Sequence, residues 1–78
     1  MWVVYILKCS DNTYYVGCTE DINERLDRHK KGQVQYTSTR LPIELAHHSI
    51  FPDKYKAYDF EKYLKSGSGR AFAKKRLL

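Results

Sequence analysis

Two charged residues, Arg25 and Glu61, occupy positions where their predicted helices should face the hydrophobic core. On a helical wheel, Arg25 lies within roughly 60° of Ile22, and His29 lies beside the same apolar stripe. On a later helix, Glu61 lies within roughly 40° of Ala57. Because a buried unpaired charge is costly to desolvate, these residues indicate either a structural ion pair or a cleft in which they do chemistry. For His29, the alternative is a hydrogen-bonded core histidine.

The basic residues are concentrated toward the carboxyl end of the chain, where no carboxylate offsets them. The formal net charge is +5, and residues 62–78 contain no Asp or Glu. The cations in this region are Lys62, Lys65, Arg70, Lys74, Lys75 and Arg76. Such a segment is either a solvated helical face, with cations close to helix C-terminal carbonyls, or a footprint for nucleic-acid phosphates. Charge alone favours neither interpretation.

The elements that position these residues begin with a predicted β-hairpin. The apolar run 3–7 is typical of a strand covered on both faces, and residues 14–18 predict a second strand after the turn-forming segment Ser10–Asn12. With the turn centred at the end of that segment, Tyr5 and Tyr15 are expected roughly 10–13 Å apart along the strands. An even pairing register places both tyrosines on one face of the sheet, and an odd register separates them.

Helices and a third strand follow, separated by polar or glycine-containing segments. The predicted elements are a helix capped by Thr19 and ending near Lys31, a polar loop at 33–40, a strand near 45–49, a helix capped by Asp53 at 54–65, and a last helix at 70–78. Gly67 and Gly69 are expected to interrupt helical structure between the last two helices. The order ββαβαα predicts an α+β fold, a small three-stranded β-sheet flanked by α-helices, in a single compact domain over residues 1–78.

Length and composition exclude several classes of protein. A chain of 78 residues with 42% hydrophobic residues suits one modest globular core rather than a disordered or repetitive sequence. The apolar run 1–7 is too short to span a bilayer and lacks the flanks of a signal peptide, so a cytoplasmic protein with no membrane partner is expected. Cys9 and Cys18 are too few for a disulfide scaffold, and buried free thiols are favoured over a pair facing each other across the hairpin.

The order of these residues along the chain resembles the GIY-YIG nuclease family. The segments Val3-Val4-Tyr5 and Tyr15-Val16-Gly17 resemble the paired tripeptides that name the family, with Val replacing both the Gly and the Ile of the first. Arg25 follows on the first helix, where the family places its catalytic arginine, and Glu61 lies where the family places its metal-binding glutamate. Further matches are His29, Gly32, Tyr36, Thr37 and Pro42. The likeness covers nearly the whole chain, and it extends to small stand-alone bacterial members and to the N-terminal domain of the excinuclease C subunit.

The resemblance implies a divalent-metal-dependent endonuclease that hydrolyses DNA phosphodiester bonds in DNA repair or processing. Glu61 would hold Mg²⁺ or Mn²⁺, and Arg25 would stabilise the negative charge of the transition state. Tyr5 and Tyr15 would orient or deprotonate the attacking water. His29, one turn after Arg25, would assist proton transfer or hold phosphate.

The resemblance also implies a nucleic acid as the partner, with DNA favoured. The residues expected to bind it are Thr37, Arg40, Lys62, Lys65, Arg70, Lys74 and Lys75. Larger relatives carry a separate DNA-binding module that this sequence does not include, so the basic carboxyl region is expected to grip the backbone without reading sequence. Two alternatives remain: a non-catalytic nucleic-acid-binding module that keeps the fold and the basic surface, and a nuclease acting on RNA.

Overall fold

A computed structural model describes residues 1–78 as a three-stranded antiparallel sheet with helices packed on both of its faces. The elements are β1 (Trp2–Lys8), β2 (Tyr14–Thr19), α1 (Ile22–Lys30), α2 (Gln35–Ser38), β3 (Glu44–Phe51), α3 (Lys54–Leu64) and α4 (Gly67–Arg76). The strand order is β2-β1-β3, so β1 is central and β2 is an edge strand. The predicted α+β class is confirmed. None of the helices is long and apolar enough to cross a membrane.

Strand β1 is covered on both faces, as its uninterrupted apolar run predicts. Successive side chains of a strand point to opposite faces, so Val4 and Ile6 share one side while Tyr5 and Leu7 share the other. The first pair enters the main hydrophobic core together with Ala57, Leu64 and Ala73 of α3 and α4. Tyr5 and Leu7 are also fully buried. The side of the sheet away from α3 therefore has a second buried layer, and that layer includes a tyrosine.

The register between β1 and β2 places both tyrosines of the paired tripeptides on one face. Tyr5 lies opposite Gly17, and Leu7 lies opposite Tyr15. The two tyrosines are therefore offset by two residues, and their ring centroids are 6.2 Å apart. The predicted separation of 10–13 Å along the strands was wrong.

The turn between β1 and β2 explains this closer spacing. Cys9 N–H donates to the Thr13 carbonyl at 2.8 Å, which closes a loop of three residues centred on Asp11. Asn12 adopts a left-handed conformation with φ of 67°, and its N–H donates to the Cys9 carbonyl. Asparagine tolerates this conformation better than most residues, which suits a three-residue hairpin loop. The turn is therefore centred one residue earlier than predicted.

Helix α1 begins later than predicted. Asp21 is its N-cap, and its carboxylate accepts the Glu24 N–H at 3.0 Å. Thr19 instead ends β2, and its hydroxyl oxygen accepts the Asp21 N–H at 3.1 Å. The polar segment predicted as a loop contains the one-turn helix α2, which its composition did not indicate.

Helix α4 begins earlier than predicted. Gly67 and Gly69, which were expected to interrupt helical structure, both lie inside it. Ser66 is the N-cap and accepts the Gly69 N–H at 3.1 Å, so the helix starts at Gly67 rather than Arg70. A Cβ at position 69 would overlap the Tyr63 carbonyl group at the end of α3. Glycine disfavours a helix interior by about 1 kcal/mol, and here it permits the close contact between α3 and α4.

Candidate active site

Tyr5 is held in place by the glycine directly across from it. The Tyr5 ring lies over Gly17, and a Cβ built on Gly17 would overlap the Tyr5 hydroxyl and ring. Glycine in a strand interior often marks such a close approach. The glycine of the second tripeptide therefore makes room for the tyrosine of the first, and this requirement is visible only once the register is known.

A chain of hydrogen bonds runs from Tyr5 through His29 to Thr37, and all three side chains are fully buried. The Tyr5 hydroxyl lies 3.0 Å from His29 Nε2, and His29 Nδ1 lies 2.7 Å from Thr37 Oγ1. Thr37 directs its only hydroxyl proton to the Val34 carbonyl at 3.4 Å. Oγ1 must then accept the His29 Nδ1–H, which leaves Nε2 to accept the Tyr5 hydroxyl proton.

Electrostatics keep this chain in its neutral form. Burial lowers the pKa of His29, and the nearby positive charges of Arg25 and Arg28 lower it further. Burial raises the pKa of Tyr5 to about 12, Tyr15 adds to the rise, and Arg25 opposes it. At neutral pH the imidazole of His29 is therefore uncharged and can accept a proton. The phenol of Tyr5 keeps its proton until a cation or a reacting water approaches.

Arg25 of α1 has one buried hydrogen-bond donor, its Nε, that has no partner. Its Nε atom is buried and makes no hydrogen bond, and Arg25 takes part in none of the salt bridges of the structure. Leaving a buried donor unsatisfied costs about 1–3 kcal/mol, more for a charged group. This finding argues against a structural ion pair for Arg25 and fits a donor that waits for an anionic ligand.

Glu61 of α3 is also free of a buried partner. Its side chain is 22% exposed, and its salt bridge is to Lys65 at 3.1 Å, a lysine on the same helix that is 56% exposed. The thiol of Cys18 on β2 lies close enough to both this carboxylate and the arginine of α1 to be affected by their charges. The pKa of Cys18 is raised by burial and then by Glu61, while Arg25 opposes the rise. The two charges from different helices thus act on the same residue of the edge strand β2. Both cysteines are free thiols, as predicted, and Cys9 is buried, but Cys18 is only half-buried.

Tyr15 connects the buried chain with the surface. Its half-buried ring lies 5.0 Å from the His29 ring and 5.5 Å from the Tyr36 ring, between centroids. The Arg40 guanidinium lies 4.3 Å from the centroid of the Tyr36 ring. Tyr15 is therefore the outermost member of the Tyr5, His29 and Tyr15 group.

Two residues predicted to bind nucleic acid make contacts within the protein, Thr37 in the interior and Arg40 at the surface. Thr37 is buried against His29, so its hydroxyl positions the imidazole and does not reach the surface. Arg40 donates from Nη1 to Asp11 at 2.6 Å and from Nε to the Tyr36 carbonyl at 3.1 Å, which fastens the hairpin turn to α2. The contacts of Thr37 with His29 and of Arg40 with Asp11 are not visible in the sequence, because the partners are 8 and 29 residues apart along the chain.

The remaining predicted nucleic-acid ligands lie on the surface of α3 and α4. Lys62, Lys65, Arg70, Lys74 and Lys75 are all exposed. Lys65, Arg70 and Lys74 line an open groove of about 960 Å³ between β2 and α4, whereas Lys62 and Lys75 lie outside it. The basic segment is therefore divided between a groove and an outer surface.

Comparison with known proteins identifies the family. A family model described as the GIY-YIG catalytic domain matches residues 1–76. The chain belongs to the GIY-YIG family. This is a nuclease family, so a nucleic acid is the implied substrate. The resemblance of the two tripeptides is thereby confirmed.

Two GIY-YIG relatives are similar over most of their length. The UPF0213 protein of Staphylococcus aureus strain Mu3 / ATCC 700698 is 38% identical over 64 residues, which span 81% of this chain and 78% of that protein. The solution NMR structure of the UPF0213 protein BH0048 from Bacillus halodurans is similar with a TM-score of 0.61 and 35% identity. That similarity covers 96% of this chain and 82% of the other.

Proposed function

We propose that this GIY-YIG protein is a divalent-metal-dependent endonuclease that hydrolyses DNA phosphodiester bonds in DNA repair or processing. The observation that carries the proposal is the unpartnered, buried Nε of Arg25 beside the chain of Tyr5 and His29. A donor with a permanent positive charge suits the oxygens of a phosphodiester, which accept hydrogen bonds and gain negative charge in the transition state. The nuclease family supports the same assignment.

Glu61 fits a hard divalent cation. No group of three or more His, Cys, Asp or Glu side chains could hold a metal ion, and Glu61 is the one carboxylate that we assign to it. Mg²⁺ and Mn²⁺ suit such a set, because waters and substrate phosphates complete the shell, whereas zinc is usually held by three or four protein ligands. When bound, the cation would supply Lewis-acid stabilisation of the phosphoryl and leaving oxygens. The exposed Lys65 would release the carboxylate at little cost.

The buried hydrogen-bond chain suits proton removal from the attacking water. Tyr5 would take a proton from water at its hydroxyl oxygen as its own proton moves to His29 Nε2, 3.0 Å away. The imidazolium so formed would keep its Nδ1–H on Thr37. Arg25 would lower the pKa of Tyr5 during this step, since it already does so in the free protein.

The test is cleavage of labelled DNA by the purified protein with Mg²⁺ or Mn²⁺, and with EDTA as the metal-free arm. Arg25→Ala should lower the cleavage rate by roughly 10²-fold or more, the effect of removing one transition-state donor. Arg28→Ala is the matched control, because Arg28 lies on the same helix but is 45% exposed and pairs with Glu24.

Three results would contradict the proposal. They are cleavage that continues in EDTA, equal loss of activity in both arginine variants, and hydrolysis of an RNA of the same sequence in preference to the DNA. Arg25→Lys adds a further distinction, because a lysine keeps the charge but lacks the planar fork of donors and should rescue activity only partly.

A further inference from the structure

The groove between β2 and α4 combines a cationic rim with an apolar floor. Lys65, Arg70 and Lys74 line it, and no Asp or Glu side chain does. Eight of its twelve lining residues are hydrophobic, among them Val16 and Leu64. A concave apolar surface with a few charged groups is typical of a binding site, and three basic side chains with no acidic side chain among them favour an anionic ligand.

Tyr14 gives this groove an aromatic surface that is free to stack. It is 43% exposed. No aromatic ring or cation packs against it, whereas the Tyr36 ring lies between Arg40 and Tyr15. A nucleobase presents a flat π-face that stacks on such a ring, and this contact depends little on sequence.

The groove also leads to the candidate active site from two sides. Tyr15 lines the groove, and its ring lies 5.0 Å from that of His29. Lys65 lines the groove as well, and its ammonium lies 3.1 Å from Glu61. A ligand in the groove would therefore continue toward the residues assigned to catalysis.

From these contacts we infer that the groove binds unpaired nucleotides of single-stranded DNA, with a base stacked on Tyr14 and phosphates on Lys65, Arg70 and Lys74. A duplex hides its base faces and would leave the apolar floor unfilled, whereas unpaired nucleotides expose a base and a sugar to fill it. Deoxyribose suits this floor better than ribose, because a 2′-hydroxyl buried there would lose its hydrogen bonds to water. The inference rests on the proposed DNA endonuclease function and names the form of its substrate.

The test is binding, measured by fluorescence anisotropy in EDTA so that no cleavage occurs. The probes are a labelled oligothymidylate, the same backbone carrying abasic sites, an oligouridylate of equal length, and a DNA duplex. The oligothymidylate should bind about 5- to 150-fold more tightly than the abasic strand, the range expected for one stacked base. It should also bind more tightly than the oligouridylate.

Variants assign the effect to the groove. Tyr14→Ala should weaken oligothymidylate binding by about 5-fold or more and leave duplex binding unchanged, while Tyr14→Phe should bind like the parent. Tyr55→Ala is the matched control, since Tyr55 is 71% exposed and does not line the groove. Equal weakening of duplex and single strand by Tyr14→Ala, or no weakening, overturns the inference. Equal affinity for oligouridylate overturns its assignment to DNA.

Cleavage with Mg²⁺, measured separately, distinguishes this inference from the proposed function. If the protein prefers oligothymidylate to the abasic strand but cleaves no DNA, the proposed endonuclease function is refuted and single-strand binding in the groove is supported. If the protein cleaves DNA but lacks that preference, the proposed endonuclease function is supported and single-strand binding in the groove is refuted.

Discussion

His29 is the residue whose environment most constrains the chemistry of the site. It is buried between two hydroxyl groups, and its ring nitrogens have different partners at 3.0 and 2.7 Å. Only the Thr37 hydroxyl, with its proton directed to a backbone carbonyl, fixes which nitrogen carries the hydrogen. Thr37 is thus a positioning residue, although the sequence suggested that it binds nucleic acid.

Replacing Thr37 tests this assignment. Thr37→Val removes the acceptor of the His29 Nδ1–H while nearly keeping the shape, so cleavage should fall by roughly 10-fold or more as the Tyr5 proton loses its defined acceptor. Thr37→Ser keeps the hydroxyl and should restore the rate. ¹⁵N NMR of the imidazole should show the Nδ1–H tautomer in the parent and in the serine variant, and a loss of that tautomer in the valine variant. A valine variant that keeps both the tautomer and the rate would show that Thr37 does not position His29.

Glu61 allows stability to be separated from activity. Its ion-pair partner, Lys65, is 56% exposed, so breaking the pair strands no buried charge. Glu61→Gln should therefore change the free energy of unfolding in EDTA by less than about 1 kcal/mol, while metal-dependent cleavage is lost. Thermal unfolding and cleavage are measured on the same preparations.

Lys65→Ala is the control for the Glu61 prediction, because it breaks the same pair but keeps the carboxylate. It should have an equally small effect on unfolding. A loss of about 3–5 kcal/mol in Glu61→Gln would instead indicate a buried structural pair, and full activity would remove Glu61 from the metal site.

At the scale of elements, the hairpin of β1 and β2 depends on a glycine directly opposite a tyrosine. Gly17→Ala would place a methyl group where the Tyr5 ring lies, and Tyr5 is bonded to His29. We expect the variant to lose about 1–3 kcal/mol of unfolding free energy and most of its cleavage activity.

Gly67→Ala is the matched control for Gly17→Ala, because nothing lies within 4 Å of a Cβ at position 67. This substitution at the start of α4 should be neutral or slightly stabilising. Chemical denaturation with cleavage assays compares the two. Similar behaviour of the two alanine variants would contradict the role assigned to Gly17.

At the scale of the whole molecule, the net charge of +5 should appear in the salt dependence of duplex binding. If four to six phosphates are neutralised at about 0.9 counterions each, the log–log slope of affinity against salt is about −3.5 to −5.5. Replacing Lys74 and Lys75 with Ala should weaken binding on all sequences alike and make the slope shallower by about 1–2.

The control for this prediction is a variant in which two lysines of a different helix are replaced, so that the net charge changes by the same amount. Replacing Lys30 and Lys31 at the end of α1 with Ala should alter the slope less, because Lys31 already pairs with Asp27 at 2.8 Å. A slope near zero for the parent protein would refute a phosphate-binding surface on α3 and α4.

The sequence by itself determined the features that depend on local periodicity. An unbroken apolar run predicted a central strand covered on both faces, and Asp53 was correctly expected to cap α3. The wheel positions of Arg25 and Glu61 marked charges on inward-facing stripes, because a helix repeats its orientation every 3.6 residues. These features need only the chain within a few residues of each position.

Only the tertiary structure decided what depends on contacts between distant segments. A turn shifted by one residue set the distance between Tyr5 and Tyr15, and the packing of α2 brought Thr37 to His29. Arg40 pairs with Asp11, which lies 29 residues away along the chain, and this contact fastens the hairpin turn to α2. Gly69 lies within α4, because α3 and α4 pack too closely at this position for any side chain. Composition and spacing contain no record of such contacts, because each arises where two elements meet in space rather than along the chain.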